Sequence, residues 1–134
     1  MDLSKIVPGL TGRTEIVVGE EHTAPRIGSG KVHVLATPVM INLFEAAALA
    51  ACEHLLPEGH QSLGTVLNVR HIAATPVGMR VVAVAEVVKV EGRTVTFRLE
   101  ARDEKDLIGD GLHERVVVNV AKFDQRVQAK LAAR

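Results

Sequence analysis

Residues 37–56 read TPVMINLFEAAALAACEHLL, and the reading of this stretch decides the fold. Thr37 followed by Pro38 is a helix start: a threonine hydroxyl can accept from free backbone N–H groups, and proline fits the first turn because it has no N–H. Beyond Pro38 the segment is apolar almost all the way round. That predicts a buried helix, wrapped by other structure rather than laid on a surface. Ala46, Ala47, Ala48, Ala50 and Ala51 add helix propensity and let neighbouring backbone come close. Into this apolar segment is set one carboxylate, Glu45, with Asn42 a turn before it. A buried charge is costly unless it is paired or hydrogen-bonded, so Glu45 requires either a partner or a chemical role.

On the N-terminal side, residues 1–12 read as a loosely held arm, followed by a short strand in TEIVVG. Residues 19–31, GEEHTAPRIGSGK, are turn-rich. On the C-terminal side, Pro57 and Gly59 stop the helix, and Ser62 to Phe123 reads as strands. SLGTVLNVRHIAAT is closed by Pro76 and Gly78, and MRVVAVAEVVKV ends at Glu91-Gly92. RTVTFRLEARD alternates cleanly, with Val95, Phe97, Leu99 and Ala101 on one face and Thr96, Arg98, Glu100 and Arg102 on the other. LIGDGLHERVVVNVAKF is the last strand, with Gly109 and Gly111 suggesting a bulge, and residues 123–134 form a short terminal helix. Connections this short require antiparallel hairpins, since a parallel crossover needs a dozen residues or more. The expected architecture is α+β, one domain over residues 1–134: an antiparallel sheet wrapped around one long central helix. Long strand edges call for a partner, so a homodimer or higher homo-oligomer is expected.

Bulk composition removes several function classes. Lys plus Arg equals Asp plus Glu, 16 each, so no global field draws nucleic acid or an anionic membrane, and neither partner is expected. Trp and Tyr are absent, which leaves no aromatic platform for stacking bases. Asn42, Glu45 and Glu53 interrupt the apolar helix, so it does not read as a membrane span. The single cysteine, Cys52, allows no internal disulfide and suits a reducing cytoplasm; in the apolar helix it reads as packing. MDLSKIVPGL lacks the basic start and long apolar core of a signal peptide.

His71 is the second candidate. By period two it shares a strand face with Leu67, Val69 and Ala73, so it is either a satisfied core histidine or half of an acid/base couple with Glu45. Thr37 either caps the helix or, where backbone N–H groups converge, helps polarise a carbonyl. Gly64 and Thr65 either bring backbone close to a ligand or mark a bulge. The six histidines show no metal-ligand spacing, and one cysteine cannot build a structural zinc site. No phosphate loop, dinucleotide fingerprint or serine elbow occurs.

The set ATPVMINLFEAA, SLGT, VRHIAATPVG and IGDGLHERVVVNVAKF resembles the hot-dog-fold acyl-CoA thioesterases, in the fluoroacetyl-CoA thioesterase branch, over nearly the whole chain. The resemblance implies a hot-dog fold, an acyl-CoA substrate carrying a small or medium acyl group, and hydrolysis with no cofactor beyond the coenzyme A of the substrate. It places the catalytic roles on Thr37, Glu45 and His71 and substrate binding on Gly64, with Thr65 beside it. Thr37 would orient Glu45 or the substrate, Glu45 would activate water or attack the thioester, His71 would carry the proton, and backbone near Gly64 would hold the oxyanion. Hydration of an enoyl thioester and non-catalytic acyl-CoA binding are the alternatives. One departure stands out: that branch closes its pocket with phenylalanines ahead of the helix, and residues 19–36 here contain no aromatic ring.

Overall fold

The computed structural model describes all residues, Met1–Arg134. In chain order it has β1 (Thr11–Val17), a 3-10 turn at Glu20–His22, α1 (Ala24–Ile27), α2 (Thr37–Cys52), β2 (His60–His71), β3 (Arg80–Glu91), β4 (Thr94–Arg102), β5 (Leu107–Asn119) and α3 (Val120–Ala132). The five strands form one antiparallel sheet in the order β1-β3-β4-β5-β2, so the expected α+β fold and its hairpins are present. The sheet curls round α2, which packs mainly across β1, β3 and β4.

The alternation seen in the sequence builds the core. Val81, Ala83, Ala85 and Val87 of β3 and Val95, Phe97, Leu99 and Ala101 of β4 point inward and are at most 1% exposed. They meet Met40, Phe44, Ala47 and Ala48 of the helix. Small residues on both layers let helix and sheet come close. At Gly12 the approach is closest, because a side chain there would overlap the backbone of Ala47 and Ala51.

At the central helix two features differ from the sequence reading. Thr37 does not cap α2: Ala36 occupies the cap, and no side chain closes the helix start. The proline already removes one free N–H, and the threonine hydroxyl is used elsewhere. Nor is α2 covered on every side. Pro38, Asn42, Leu49 and Ala50 are exposed. The sheet covers the helix from β1 to β4, while β2 lies beyond it, paired only to β5. β2 therefore ends the sheet with a bare edge and with Leu63 and Val66 exposed at 38% and 41%.

The opposite edge, β1, is dressed with charge: Arg13 pairs with Glu15, and Glu15 with Arg80 of β3. The bulge expected near Gly109 falls at Ile108, the extra residue opposite Ala101 and Arg102. The terminal helix begins at Val120, three residues earlier than the sequence suggests. The Asn119 side chain accepts from the Lys122 N–H and starts it there.

Candidate active site

β2 ends where α2 begins, and the chain ties the two together. The Leu35 N–H, just before the helix, donates to the Thr75 carbonyl, just after the strand. Thr75 is fully buried, and its hydroxyl is held by Asp103 at 2.9 Å. This clamp brings Thr37 Oγ1 to 2.7 Å from His71 Nδ1. The other ring nitrogen, Nε2, is buried and makes no hydrogen bond. A ring whose Nε2 carries the proton leaves Nδ1 free to accept from the threonine hydroxyl. Burial pushes the His71 pKa below its ordinary value, and the Ala73 backbone only partly opposes this, so the imidazole is neutral at pH 7. A hydroxyl against a neutral imidazole is the arrangement of an activated nucleophile.

The pair opens into a cavity of about 340 Å³. One wall is Ile72, Ala73 and Ala74; the other is the strap of residues ahead of the helix, from Ala24 to Leu35. The strap is pinned by the Ala24 N–H to the Val34 carbonyl, the Ala36 N–H to the His22 carbonyl, and a His33–Glu20 contact of 2.7 Å. As the sequence indicated, no ring other than that of His71 lines this space.

Glu45 lies elsewhere on the helix. Eight residues separate it from Thr37, about 12 Å along the axis. Its Oε2 accepts from Arg115 Nη1 at 3.1 Å, and its Oε1 carries no hydrogen bond. A side chain at Gly64 would sit 2.6 Å from that same Oε2, so the glycine is what lets the strand pass the carboxylate. Here β2 and β5 shift register between Gly64 and Val66. Thr65 is the bulged residue; its hydroxyl donates to the Glu114 carbonyl at 3.2 Å on the exposed side, away from both clusters.

Within one chain, then, the sequence-derived residues fall into two groups, Thr37 with His71 and Glu45 with Gly64. The direct Glu45–His71 couple considered from the sequence is not formed inside the chain. Glu45 has a different partner, and that partner is part of a buried network the sequence reading left unassigned. Arg115 is only 5% exposed. Its Nε donates to Ser62 Oγ at 2.8 Å, its Nη2 to the Ser62 carbonyl at 3.1 Å, and its Nη1 also to His113 Nε2 at 3.1 Å.

His113 in turn donates from Nδ1 to the Val66 carbonyl at 2.8 Å. Burial holds its pKa low, with the Arg115 charge adding to that against the Val66 bond, so it stays neutral and accepts from the guanidinium. Ser62 gives its single hydroxyl proton to Glu53 Oε1 at 2.6 Å, while its N–H binds Oε2 at 2.9 Å. The direction is fixed throughout: arginine to serine to carboxylate. A signal for this was present in the sequence, since Arg115 shares its strand parity with Val117 and His113, the side that faces the core. Cys52 takes no part; burial first, then the Glu53 charge, pushes its thiol up to about 11, and it packs.

Comparison with known proteins shows which family shares this sequence and fold. A sequence profile of the family FlK, fluoroacetyl-CoA-specific thioesterase, matches residues 18–121. A fluoroacetyl-CoA thioesterase from Streptantibioticus cattleyicolor is 44% identical over 100 residues, covering 75% of this chain and 72% of that protein. A solved structure of the fluoroacetyl-CoA thioesterase FlK superposes with a TM-score of 0.87 at 36% identity, covering 93% of this chain and 97% of that one. A Thermus thermophilus hypothetical protein, a thioesterase superfamily member, superposes with a TM-score of 0.89 at 35% identity, over 98% of this chain and all of that one.

Proposed function

Because the chain belongs to the fluoroacetyl-CoA-specific thioesterase family and is a hot-dog acyl-CoA thioester hydrolase, we propose that Thr37 and His71 carry its chemistry and that a second copy completes the site. The observation that carries the reading is the 2.7 Å contact between Thr37 Oγ1 and a neutral His71 at the mouth of the cavity. His71 Nδ1 takes the hydroxyl proton as the Thr37 oxygen attacks the thioester carbonyl. The imidazolium then protonates the departing thiolate of coenzyme A, leaving an acyl ester on Thr37. Water, deprotonated by the same nitrogen, hydrolyses that ester and returns the hydroxyl.

The second copy enters through β2. Its edge is long and unpaired, with Leu63 and Val66 bare in its middle, which makes it a template for strand pairing. Antiparallel pairing of β2 with itself about a two-fold near Leu67 sets His71 of one copy opposite Leu63 of the other, beside Gly64 and Glu45. The same union covers the exposed face of α2. Across the interface, the Gly64 bulge offers backbone to the developing oxyanion, and the free Oε1 of Glu45 positions the hydrolytic water. Glu45 and His71 thus act on one substrate from two subunits. A cytoplasmic homodimer acting on acyl-CoA, with coenzyme A entering only as part of the substrate, completes the reading. No helix is long and apolar enough to cross a membrane.

Thiol release across a panel of short and medium acyl-CoA thioesters tests the activity. Mixing tests the architecture: Glu45→Gln and His71→Ala proteins, each silent alone, recover about a quarter of wild-type activity when their subunits are exchanged in equal amounts, because each mixed dimer holds one intact site. No recovery, or a monomer by light scattering at micromolar concentration, sinks the shared site.

A further inference from the structure

The strap that walls the cavity carries one residue whose charge the hydrolase reading leaves unused. Lys31 lines the same space as Thr37 and His71, together with Ser29 and Gly30. Every other lining residue is uncharged at pH 7. No aspartate or glutamate faces the cavity, and burial keeps His71 neutral. Lys31 also takes part in none of the protein's salt bridges. Its neighbour on the strap, His33, is held by Glu20, and Arg70 near the end of β2 is held by Asp110 through two hydrogen bonds. The lysine is thus the free cation of this site. The rest of the lining, Val32, Val34, Leu35 and Ile72 among it, is apolar and suits a short methylene chain.

We propose, building on the thioester-hydrolase reading, that the site prefers acyl groups ending in a carboxylate, the thioester carbonyl lying at Thr37 and the distal carboxylate at the Lys31 ammonium. The size of the cavity selects the acyl end over the coenzyme end as the source of the anion. A space of about 340 Å³ is roughly one short acyl chain deep. The nearest phosphate of coenzyme A lies a dozen or so bonds beyond the sulfur, outside it. An ammonium on a flexible four-carbon stem can follow carboxylates on chains of slightly different length. A positively charged wall on the strap favours an anionic acyl group over its neutral counterpart, since the one carboxylate that the second copy brings, Glu45, is paired with Arg115 and stands at the thioester end rather than at Lys31.

The probes are succinyl-CoA and butyryl-CoA, with non-enzymatic hydrolysis subtracted, and the same two acyl groups on phosphate-free pantetheine. The readout is the ratio of kcat/KM for succinyl over butyryl. A half-open pocket strengthens an ion pair beyond its value on an open surface, so Lys31→Met lowers this ratio about tenfold. Lys31→Glu lowers it further, and Lys31→Arg keeps it. Lys31 is exposed, and circular dichroism checks that each variant is folded. A ratio that does not move in Lys31→Met and Lys31→Glu overturns the assignment. So does an equal loss on both CoA thioesters that vanishes on the pantetheine thioesters, which would place the lysine at the coenzyme phosphates. If the wild type releases thiol from neither substrate, the hydrolase reading falls as well. Hydrolysis of both without preference removes only the role of Lys31.

Discussion

Replacing Arg115 with methionine keeps the length of the side chain and removes the centre of the buried network. Four acceptors lose a donor: Ser62 Oγ, the Ser62 carbonyl, His113 Nε2 and Glu45 Oε2. They are not equally affected. Ser62 Oγ remains bound to Glu53, and the Glu45 side chain, 37% exposed, can turn to water. The Ser62 carbonyl and His113 Nε2 stay enclosed and unpaired, at about 1–3 kcal/mol each. Burying the methionine returns about 1–2 kcal/mol. Taken at their midpoints these leave a net loss of about 2–3 kcal/mol, a large share of the roughly 5–15 kcal/mol that holds a domain folded. With no tryptophan or tyrosine to report, the measurement is urea unfolding by far-ultraviolet circular dichroism at one protein concentration. Glu45→Gln is the control and costs no more than about 1 kcal/mol, because its partner interaction is half in water. A loss under about 1 kcal/mol for Arg115→Met would show that the network reorganises freely and that the geometry of the Gly64 bulge does not depend on it.

Thr37→Val, which keeps the shape and deletes the hydroxyl, lowers kcat by about 10²-fold or more while leaving the melting temperature near wild type; activity within a few-fold would remove Thr37 from the chemistry. Because burial holds the His71 pKa below 6.5, the acid limb of kcat/KM has its midpoint below 6.5, and a midpoint at or above that value contradicts the buried-base assignment. His113 is depressed in the same way, and the unfolded chain takes up protons first. The contribution of these two imidazoles to stability is therefore fully present above their ordinary range and falls as the pH drops through 6.5 and the lowered native values, which acid titration of the urea midpoint would show. Fluoroacetyl-CoA is not strongly preferred over acetyl-CoA, because a ringless apolar pocket discriminates similar ligands by about 1–3 kcal/mol. A ratio of kcat/KM above roughly 10³ would mean that another part of the site reads fluorine.

The sheet was legible because its signal is local. The alternation of Val95, Phe97, Leu99 and Ala101 admits one period, and Glu91-Gly92 admits only a tight connection. Helix α2 was legible as apolar, but its surroundings were not. Apolar residues that their own chain leaves bare look the same in a sequence as residues it buries, so its exposed face was not foreseen. Thr37 had two physically sound uses for one hydroxyl, and only the position of His71, 34 residues away in sequence, chooses between them. Arg115 escaped because His113-Glu114-Arg115 runs straight into Val116-Val117-Val118, a stretch without alternation that does not itself say which of the charges turns inward. Lys31 sits in a stretch without periodicity, where nothing in the sequence says which way a side chain faces.

The two rims of the sheet are treated differently, and this bears on how large an assembly can grow. At β1 the border carries Arg13 and Glu15, already committed to neighbours within the chain, and a docking strand would have to strip both of water and partners. At β2 the one such pair, Arg70 with Asp110 of β5, stands near the end of the strand, and the middle carries Leu63 and Val66 instead. A molecule with one welcoming border and one forbidding border has a valence of one. If the welcoming border is matched with its own likeness, each copy uses up the other's capacity, and accretion stops at a pair. Had β1 also been left apolar, the same chain would add copies at both ends without limit. The charges on a strand far from the chemistry would then be what separates a finite enzyme from a fibre, and exchanging Arg13 and Glu15 for valines would be the way to lose that distinction.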